Sequence, residues 1–262
     1  MANAFAYNAA LDVSRPAVRR IHLADLWAAL AAGWADFMAI PTQLVFLGLI
    51  YPAVGLVAAR AASGGGVLPL LFPMVGGLAL LGPVLAVGTY EISRQREAGL
   101  DPTWRNAFDV LRAPGLPGVV ALGVLLLVVF LLWLGVARAI YVGTVGAMAP
   151  ASVGDLLQAV QDSPRGWMLV VFGNLAGAGF AAVVLAVSAV SFPMMLDRNV
   201  TPSAAIGTSL RVVRANPAVM AGWGVLVAVV LALGSLPLFV GLAVAMPVLG
   251  HATWHLYRRA VA

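Results

Sequence analysis

The chain has 262 residues, of which 62% are hydrophobic and only 10% are charged, and its mean hydropathy is +0.99. Soluble domains are about 45–50% apolar and about 25% charged, so this composition excludes an ordinary soluble protein and predicts one that crosses a membrane several times. The absence of cysteine excludes disulfides, thiolate metal sites and cysteine nucleophiles. All fifteen basic residues are arginine and the formal charge is +5. In a membrane protein such charge indicates orientation, and we expect no nucleic-acid partner.

Residues 1–36 are expected to form a cytoplasmic tail and an amphipathic helix. No apolar run precedes the first basic cluster, which argues against a cleavable signal. On a helix, the apolar residues of this segment form a stripe and the polar residues lie elsewhere. The apolar residues are Leu23, Leu26, Trp27, Leu30, Trp34 and Phe37. The polar residues are Arg19, His22, Asp25 and Asp36. This pattern predicts a helix that lies in the membrane interface.

Residues 37–262 are predicted to be an all-α, six-span transmembrane bundle. A span takes about 20 predominantly apolar residues. Six such stretches lie at about 37–59, 67–90, 116–137, 167–196, 217–234 and 237–257. The last two come from one long apolar run, which we divide at the sequence LGSLP because its proline and glycine favour a turn.

The arginines predict how the bundle is oriented. If both termini face the cytoplasm, twelve arginines fall on the inner side, and three, Arg60, Arg138 and Arg165, fall on the outer side. Basic residues concentrate on the cytoplasmic side of membrane proteins. We therefore expect a multi-pass protein of the bacterial inner membrane, with loops 91–115 and 197–216 inside and loop 141–166 outside.

Two sequence matches suggest an internal repeat. PVLAVGTYEISR (83–94) aligns without a gap with PVLGHATWHLYR (247–258), and Glu91 falls opposite His255. AFDVLRAPG in the first inner loop resembles SLRVVRANP in the second. The matches predict three repeats of an interfacial helix followed by a transmembrane hairpin, since internal repeats are common in membrane folds. The alternative is that loops between spans are simply amphipathic.

The motifs YEISRQREAGLDPTW (90–104) and PVLGHATWHLYRR (247–259) carry a resemblance to a known family. With them, nearly the whole chain from about residue 20 resembles the bacterial domain-of-unknown-function family 2189 of predicted integral membrane proteins. The resemblance implies a six-span inner-membrane protein of unknown function. Some members carry labels suggesting an oxidase subunit, but three histidines are too few for two haems and a copper. The layout is also similar to the membrane domain attached to some glycerophosphodiesterases, which is an analogy of fold only.

Polar residues near the inner ends of the even-numbered spans are the candidate site. We favour a structural ring of ion pairs that pins the helix ends together, formed by Glu91, Arg94, Asp197, Arg198, His255 and Arg258. The alternative is a metal or haem site made by His251, His255, Glu91 and Asp197, because imidazole and carboxylate suit zinc or iron. His251 and His255 share a helix face, but a metal would need a third ligand from another span. We predict no cofactor.

The middles of the six spans contain no Asp, Glu, Arg or His. Because ionisable residues inside a span usually mark an ion pathway, this absence argues against a proton-coupled pump. Asn174, in GNLAGAGF, lies among small residues that suit close helix packing. We expect it to make an interhelical hydrogen bond, the alternative being contact with a substrate.

The sequence supports no named reaction and no catalytic residues. We expect a non-enzymatic accessory, assembly or scaffold protein of a membrane complex, whose partners are the lipid bilayer and another membrane protein complex. The alternative is a carrier or flippase for an apolar or lipid-like molecule, suggested by the proline-rich spans and by the interfacial helices. A second alternative is a bis-histidine metal or haem protein.

Overall fold

The structure is a computed structural model that describes residues 16–62, 68–147, 150 and 152–262. Within these residues the fold is all-α, with 82% helix and no strand. The α-helices are α1 Leu23–Ala39, α2 Gln43–Ala62, α3 Leu71–Leu78, α4 Gly82–Leu85, α5 Val87–Glu97, α6 Leu116–Thr144, α7 Val153–Asp162, α8 Gly166–Ser188, α9 Ser191–Arg198, α10 Pro202–Ala215, α11 Pro217–Ser235 and α12 Leu242–Ala260. The 3₁₀ helices are Leu68–Leu70, Ala79–Leu81 and Trp104–Arg112, and the last of these is called the 3₁₀ helix below.

Within the described residues, four helical stretches are long and apolar enough to cross a membrane. They are Leu68–Glu97, Leu116–Thr144, Gly166–Arg198 and Pro217–Ser235. They correspond to the second to fifth expected spans, and the second and third extend seven residues beyond the ends expected from the apolar runs. A helix continues past the apolar run because its backbone hydrogen bonds do not depend on hydropathy.

The first and sixth expected spans fall on helices that do not meet the same criterion. The first, 37–59, is divided because α1 ends before Pro41 and α2 begins at Gln43; a residue that precedes proline disfavours the helical conformation. The described apolar part of α2 is Val45–Leu56. The sixth falls on α12, which begins at Leu242 and is polar in its second half. The structure thus shows an all-helical protein with four candidate spans, and the number six and the threefold repeat stay predictions.

Side-chain caps and one left-handed residue set the ends of three helices. Thr201 precedes α10 and its hydroxyl accepts a hydrogen bond from the Ala204 backbone N–H. Ser152 does the same at the start of α7, with the N–H of Asp155 as the donor. Both are typical N-cap residues. After α9 the chain turns through Asn199, whose φ is 47°, a conformation that asparagine tolerates better than most residues.

The buried core lies at one end of the bundle, around the second half of α12. Thirteen of the 19 residues of α12 are buried, and α1 packs beside it, with Gly33 so close to Ala252 that a Cβ on Gly33 would lie 2.5 Å from the Ala252 nitrogen. Large side chains from four helices are fully buried there, namely Tyr90, Phe192, Trp223, Trp254 and Tyr257. We call this end of the molecule the core end.

Toward the other end of the bundle, a much smaller share of the helix residues is buried. In Gly166–Arg198 only 6% of the most apolar stretch of 18 residues is buried, and in Pro217–Ser235 only 11%. Contacts between helices there include the Trp133 indole N–H, which donates to the Pro73 carbonyl at 2.9 Å. Apolar side chains that face lipid need no burial, so this pattern suits helices that stand in a membrane.

The turn between α11 and α12 is apolar throughout. Leu236 and Leu238 are 78% and 80% exposed, and Leu238 and Phe239 both have positive φ. The backbone N–H groups of Leu236, Leu238, Phe239 and Val240 all donate to carbonyls of the same turn or of the end of α11. The hydroxyl of Tyr51, from α2, donates to the Leu238 carbonyl at 3.2 Å. The turn therefore satisfies these backbone groups without water.

Candidate functional site

A single carboxylate, Asp36 of α1, connects three helices at the core end. Its Oδ2 accepts a hydrogen bond from the hydroxyl of Ser93 on α5 at 2.6 Å and lies 2.8 Å from Nε2 of His255 on α12. Its Oδ1 forms an ion pair with the guanidinium of Arg96, also on α5. Since Asp36 is only 6% exposed, these three partners take the place of water around its charge.

His251 extends this network into the core and is completely buried. Its Nδ1 lies 2.8 Å from the Ser93 hydroxyl oxygen. Because an ionised Asp36 can only accept hydrogen bonds, Ser93 donates its proton to Asp36 and accepts one from Nδ1 of His251. In this assignment Nδ1 of His251 carries a proton, and its Nε2 has no hydrogen-bond partner among the described residues.

The charge on Asp36 is maintained by its neighbours. Burial acts to raise the pKa of Asp36, but the hydrogen bonds from His255 and Ser93 outweigh it and hold that pKa below the usual range for aspartate. Asp36 is therefore an anion at neutral pH. The carboxylate and Arg96 form a charge-assisted hydrogen bond, which is stronger than a bond between neutral groups.

A second polar group joins α5, α9 and α12. Oδ2 of Asp197 accepts hydrogen bonds from the Tyr257 hydroxyl at 2.6 Å and from Arg258 Nη1 at 3.2 Å. The same Arg258 donates from Nε to Glu97 at 2.8 Å. The other oxygen of Glu97 accepts from the Trp254 indole N–H at 2.9 Å. This group lies nearer the surface than Asp36, since Arg258 and Glu97 side chains are both 38% exposed.

Glu91 forms a third group, mostly within its own helix. Arg94 contacts it through two hydrogen bonds, from Nε at 2.9 Å and from Nη2 at 2.7 Å. Gln95 donates to Glu91 at 2.8 Å and to Asp109 of the 3₁₀ helix at 3.1 Å. Glu91 is thereby linked to the 3₁₀ helix through an amide instead of through an ion pair with another span.

The structure brings the predicted residues into these three groups and does not form one continuous ring. His255 is with Asp36, Glu91 is with Arg94, and Asp197 is with Arg258. Arg198 lies beside Asp197, with 3.5 Å between Nε and Oδ2. The residues that the sequence reasoning did not select are Asp36, Ser93, Arg96, Glu97, Trp254 and Tyr257. A signal for Asp36 was present, because it shares one helix face with Ala29 and Gly33, and such small residues mark a face that packs closely.

The geometry gives a metal or haem site no support. Among the residues that the structure describes, no group of three or more His, Cys, Asp or Glu is placed to hold a metal ion. His255 Nε2 faces Asp36 and His251 Nδ1 faces Ser93. The other two candidate ligands, Glu91 and Asp197, are occupied by the arginines described above.

Ser93, His251 and Asp36 also do not form a catalytic triad. In a triad the histidine lies between the serine and the carboxylate, so that it can remove the serine proton. Here the serine lies between the other two residues, its proton is directed at Asp36, and its side chain is inaccessible. The arrangement stabilises the fold and presents no nucleophile.

Asn174 is placed differently from the prediction. Its side chain is exposed, and Nδ2 donates to the Val170 carbonyl of the same helix at 2.7 Å. The close helix contact is nearby at Gly177, where a Cβ would lie 3.3 Å from the Trp133 ring. The small residues thus do mark a packing position, but the packing does not include the asparagine.

A narrow groove of about 170 Å³ lies beside the polar groups, between α2, α4, α5 and the 3₁₀ helix. We call it the α2 groove. Its walls are formed by Thr42, Val45, Phe46, Leu49, Val84, Leu85, Val87, Gly88, Thr89, Ala107, Phe108, Val110 and Leu111. A shallower depression of about 390 Å³ lies on one face of α6. The walls of both are almost entirely apolar.

The length and the apolar character of these helices define an integral membrane protein with several membrane-crossing helices. Residues 71–197 match the model of the family described as Predicted integral membrane protein (DUF2189). This match confirms the family resemblance. It includes the motif YEISRQREAGLDPTW and leaves the terminal motif PVLGHATWHLYRR outside. No curated protein and no solved structure matches the chain.

Proposed function

We propose that this chain is a non-enzymatic accessory protein that holds another component of a membrane complex. The observation that carries the proposal is that polar side chains of the core end form hydrogen bonds and ion pairs with one another. Asp36, Ser93, His255 and Arg96 bond among themselves, and the first two are buried. A reaction site would need reactive groups that face a substrate cavity, and these groups face each other.

The exposed surface of α1 supports the same proposal. Its outer side carries a row of large apolar side chains, with Trp27 65% and Trp34 48% exposed, flanked by Leu23 and Met38. Aromatic residues are enriched where one protein binds another. The row starts beside the core end, where α1 is fixed to α12 by the Asp25–Arg259 pair at 3.1 Å. A rigid helix with an open apolar face suits a docking element.

The test is co-purification from the native membrane with quantitative mass spectrometry. We expect a partner protein in a fixed ratio to the native chain. The double substitution Trp27→Ser and Trp34→Ser should remove that partner, whereas Trp167→Ser, at a tryptophan that is 60% exposed on α8, should retain it. A partner that both variants retain equally, or no protein at a fixed ratio, would contradict the proposal.

We also propose the six-span topology with both termini in the cytoplasm of a bacterium. What supports it is the uneven distribution of arginine. Arg94, Arg96, Arg198, Arg258 and Arg259 make the contacts of the core end. In this topology α2 and α12 complete the six spans, and the core end faces the cytoplasm.

Single cysteines introduced into this cysteine-free chain test the orientation. Gln158 on α7 and Asp101 before the 3₁₀ helix are both exposed. An impermeant thiol reagent added to intact cells should label Gln158→Cys and should reach Asp101→Cys only after the membrane is opened. The reverse pattern would invert the topology, and labelling of both in intact cells would rule out the assignment of these loops to opposite sides.

A carrier or flippase for a lipid-like molecule is the second candidate, and the apolar α2 groove is the observation in its favour. The two functions differ in what the purified chain does alone. In liposomes that contain a fluorescent phospholipid, a flippase would make the inner-leaflet lipid accessible to an external quencher. An accessory protein would leave the accessible fraction as it is in protein-free liposomes.

A further inference from the structure

The α2 groove contains a buried hydroxyl group without a partner. Thr42, which lines the groove, is only 2% exposed, and its Oγ1 has no hydrogen-bond partner among the described residues. The other hydroxyl in the wall, on Thr89, is already used, since it donates to the Ala86 carbonyl at 2.6 Å. A buried polar group that lacks a partner is costly, so Thr42 marks a position where a ligand oxygen would be stabilised.

The position of the groove relates it to the bilayer. Its wall includes Val84 to Thr89, which belong to the candidate span Leu68–Glu97. The 3₁₀ helix forms another wall of the groove, where Ala107 packs directly against Gly88. Glu91, which belongs to the polar residues of the core end, follows two residues after Thr89. The groove therefore lies at the boundary between apolar and polar parts of the chain, where the acyl chains of one leaflet meet the headgroups.

Two arginines and one carboxylate lie beside the groove. Phe108 and Leu111 of the 3₁₀ helix line the groove, and the neighbouring Arg105 and Arg112 are both exposed. Arg105 stacks on Trp104 at 5.5 Å from the ring centroid. Asp109 of the same helix accepts hydrogen bonds from Asn106 and Gln95, and neither arginine lies within salt-bridge distance of it or of another described carboxylate. Basic residues at this depth attract anionic lipid headgroups.

We propose that the α2 groove binds one anionic phospholipid. In this assignment an acyl chain lies along the apolar wall, an ester oxygen accepts a hydrogen bond from Thr42, and the phosphate lies within reach of Arg105 and Arg112. The site is independent of the proposed docking function, because α1 does not line it. The ligand is a component of the surrounding bilayer, which explains why the groove has no polar floor.

Binding of dioleoyl phosphatidylglycerol to the delipidated full chain in detergent tests the site, with dioleoyl phosphatidylcholine as the neutral comparison. We expect one tightly bound phosphatidylglycerol per chain in native mass spectrometry. The preference over phosphatidylcholine should be about tenfold or more, because each nearby arginine attracts an anionic lipid independently. Equal affinity for the two lipids would overturn the assignment.

Two substitutions on α2 separate the groove from the general lipid surface. Val45→Phe adds a ring inside the groove and should weaken phosphatidylglycerol binding at least about tenfold, since the added ring takes up volume that the acyl chain needs. Leu56→Phe adds the same kind of bulk at a residue that is 73% exposed on the same helix and should leave binding unchanged. Equal binding by both variants would overturn the proposal.

Two further variants test the polar contacts. Arg105→Gln combined with Arg112→Gln should abolish the preference for phosphatidylglycerol and leave phosphatidylcholine binding as it was. Thr42→Val has nearly the same shape and should weaken both lipids severalfold, because the ester oxygen loses its donor. If the preference survives in the arginine variant while its unfolding temperature is unchanged, the groove is not the headgroup site.

Discussion

The core end and helix α8 differ in how much of their surface is buried and in how their polar residues are paired. At the core end, α12 buries 13 of its 19 residues, and carboxylates, histidines and arginines meet in fixed pairs. Along α8, only 6% of the most apolar stretch of 18 residues is buried, and the one asparagine there, Asn174, bonds to its own helix. The difference shows that this protein buries most of its core where the polar pairs meet, whereas lipid can accommodate the apolar side chains of α8 without burial.

The contrast predicts that substitutions cost most at the contact between α1 and α12. Gly33→Val places a branched side chain where even a Cβ would lie 2.5 Å from the backbone of Ala252. We expect a loss of about 3 kcal/mol or more in the free energy of unfolding, since a backbone cannot yield as a flexible side chain can. Denaturant titration in detergent micelles measures it.

Gly48→Ala is the matched control, because a Cβ at Gly48 would meet nothing within 4 Å. It should leave stability unchanged or raise it slightly, as alanine is the better helix former. Similar losses for the two glycines would mean that the α1–α12 contact does not exist as described.

The next largest effect is expected at Asp36. Asp36→Asn removes the charge that Arg96, Ser93 and His255 surround, and should lower the free energy of unfolding by about 2 kcal/mol, because Arg96 loses its counter-charge and an amide donor replaces one of the two acceptor oxygens. Asp25→Asn, on the same helix, affects a more exposed pair whose side chains are 27% and 42% exposed. It should cost less than about 1 kcal/mol.

The Asp36 contribution should also depend on pH, with a sign that its lowered pKa fixes. A carboxyl group whose pKa is lower in the folded state stabilises the fold above its unfolded pKa of about 3.9 and loses that contribution as pH falls through the folded pKa. The difference in unfolding temperature between the native chain and Asp36→Asn should therefore narrow as the pH falls below about 4. An unchanged difference at low pH would contradict this.

The smallest effect is expected at Asn174. Asn174→Leu removes only the local bond to Val170 and leaves an exposed apolar side chain, so the free energy of unfolding should change by less than about 0.5 kcal/mol. The measurement is the denaturant titration in detergent micelles that is used for Gly33→Val. A loss as large as that of Asp36→Asn would show that Asn174 contacts another helix, as first expected from its small neighbours.

The sequence predicted the apolar half of the molecule better than the polar half. Runs such as 116–137 and 217–234 predict helices because hydropathy and length are local properties. The partner of His255 is not local, since Asp36 lies 219 positions away. The polar face of an amphipathic helix is usually assumed to meet water, and on that assumption Asp36 would be exposed. A polar residue among small residues in a span is usually assumed to pack against another helix, and on that assumption Asn174 would be buried. Small residues mark a packed helix face, as at Gly33 and Gly177, but they did not show that Asn174 lies outside that face.

The apolar turn between α11 and α12 has a consequence for how the protein is made. A loop that carries charged or hydrogen-bonding side chains must be moved through the hydrocarbon against a large desolvation penalty. Residues 236–241 contain none, and most of their backbone donors are satisfied within the turn or by the end of α11. In the proposed six-span topology, the hairpin of α11 and α12 can therefore enter the bilayer from one side as a folded pair. Its second helix then carries His251, His255 and Arg258 only as far as the side from which it came, so the polar core is completed only after α12, which follows α1, α5 and α9 along the chain, has been synthesised.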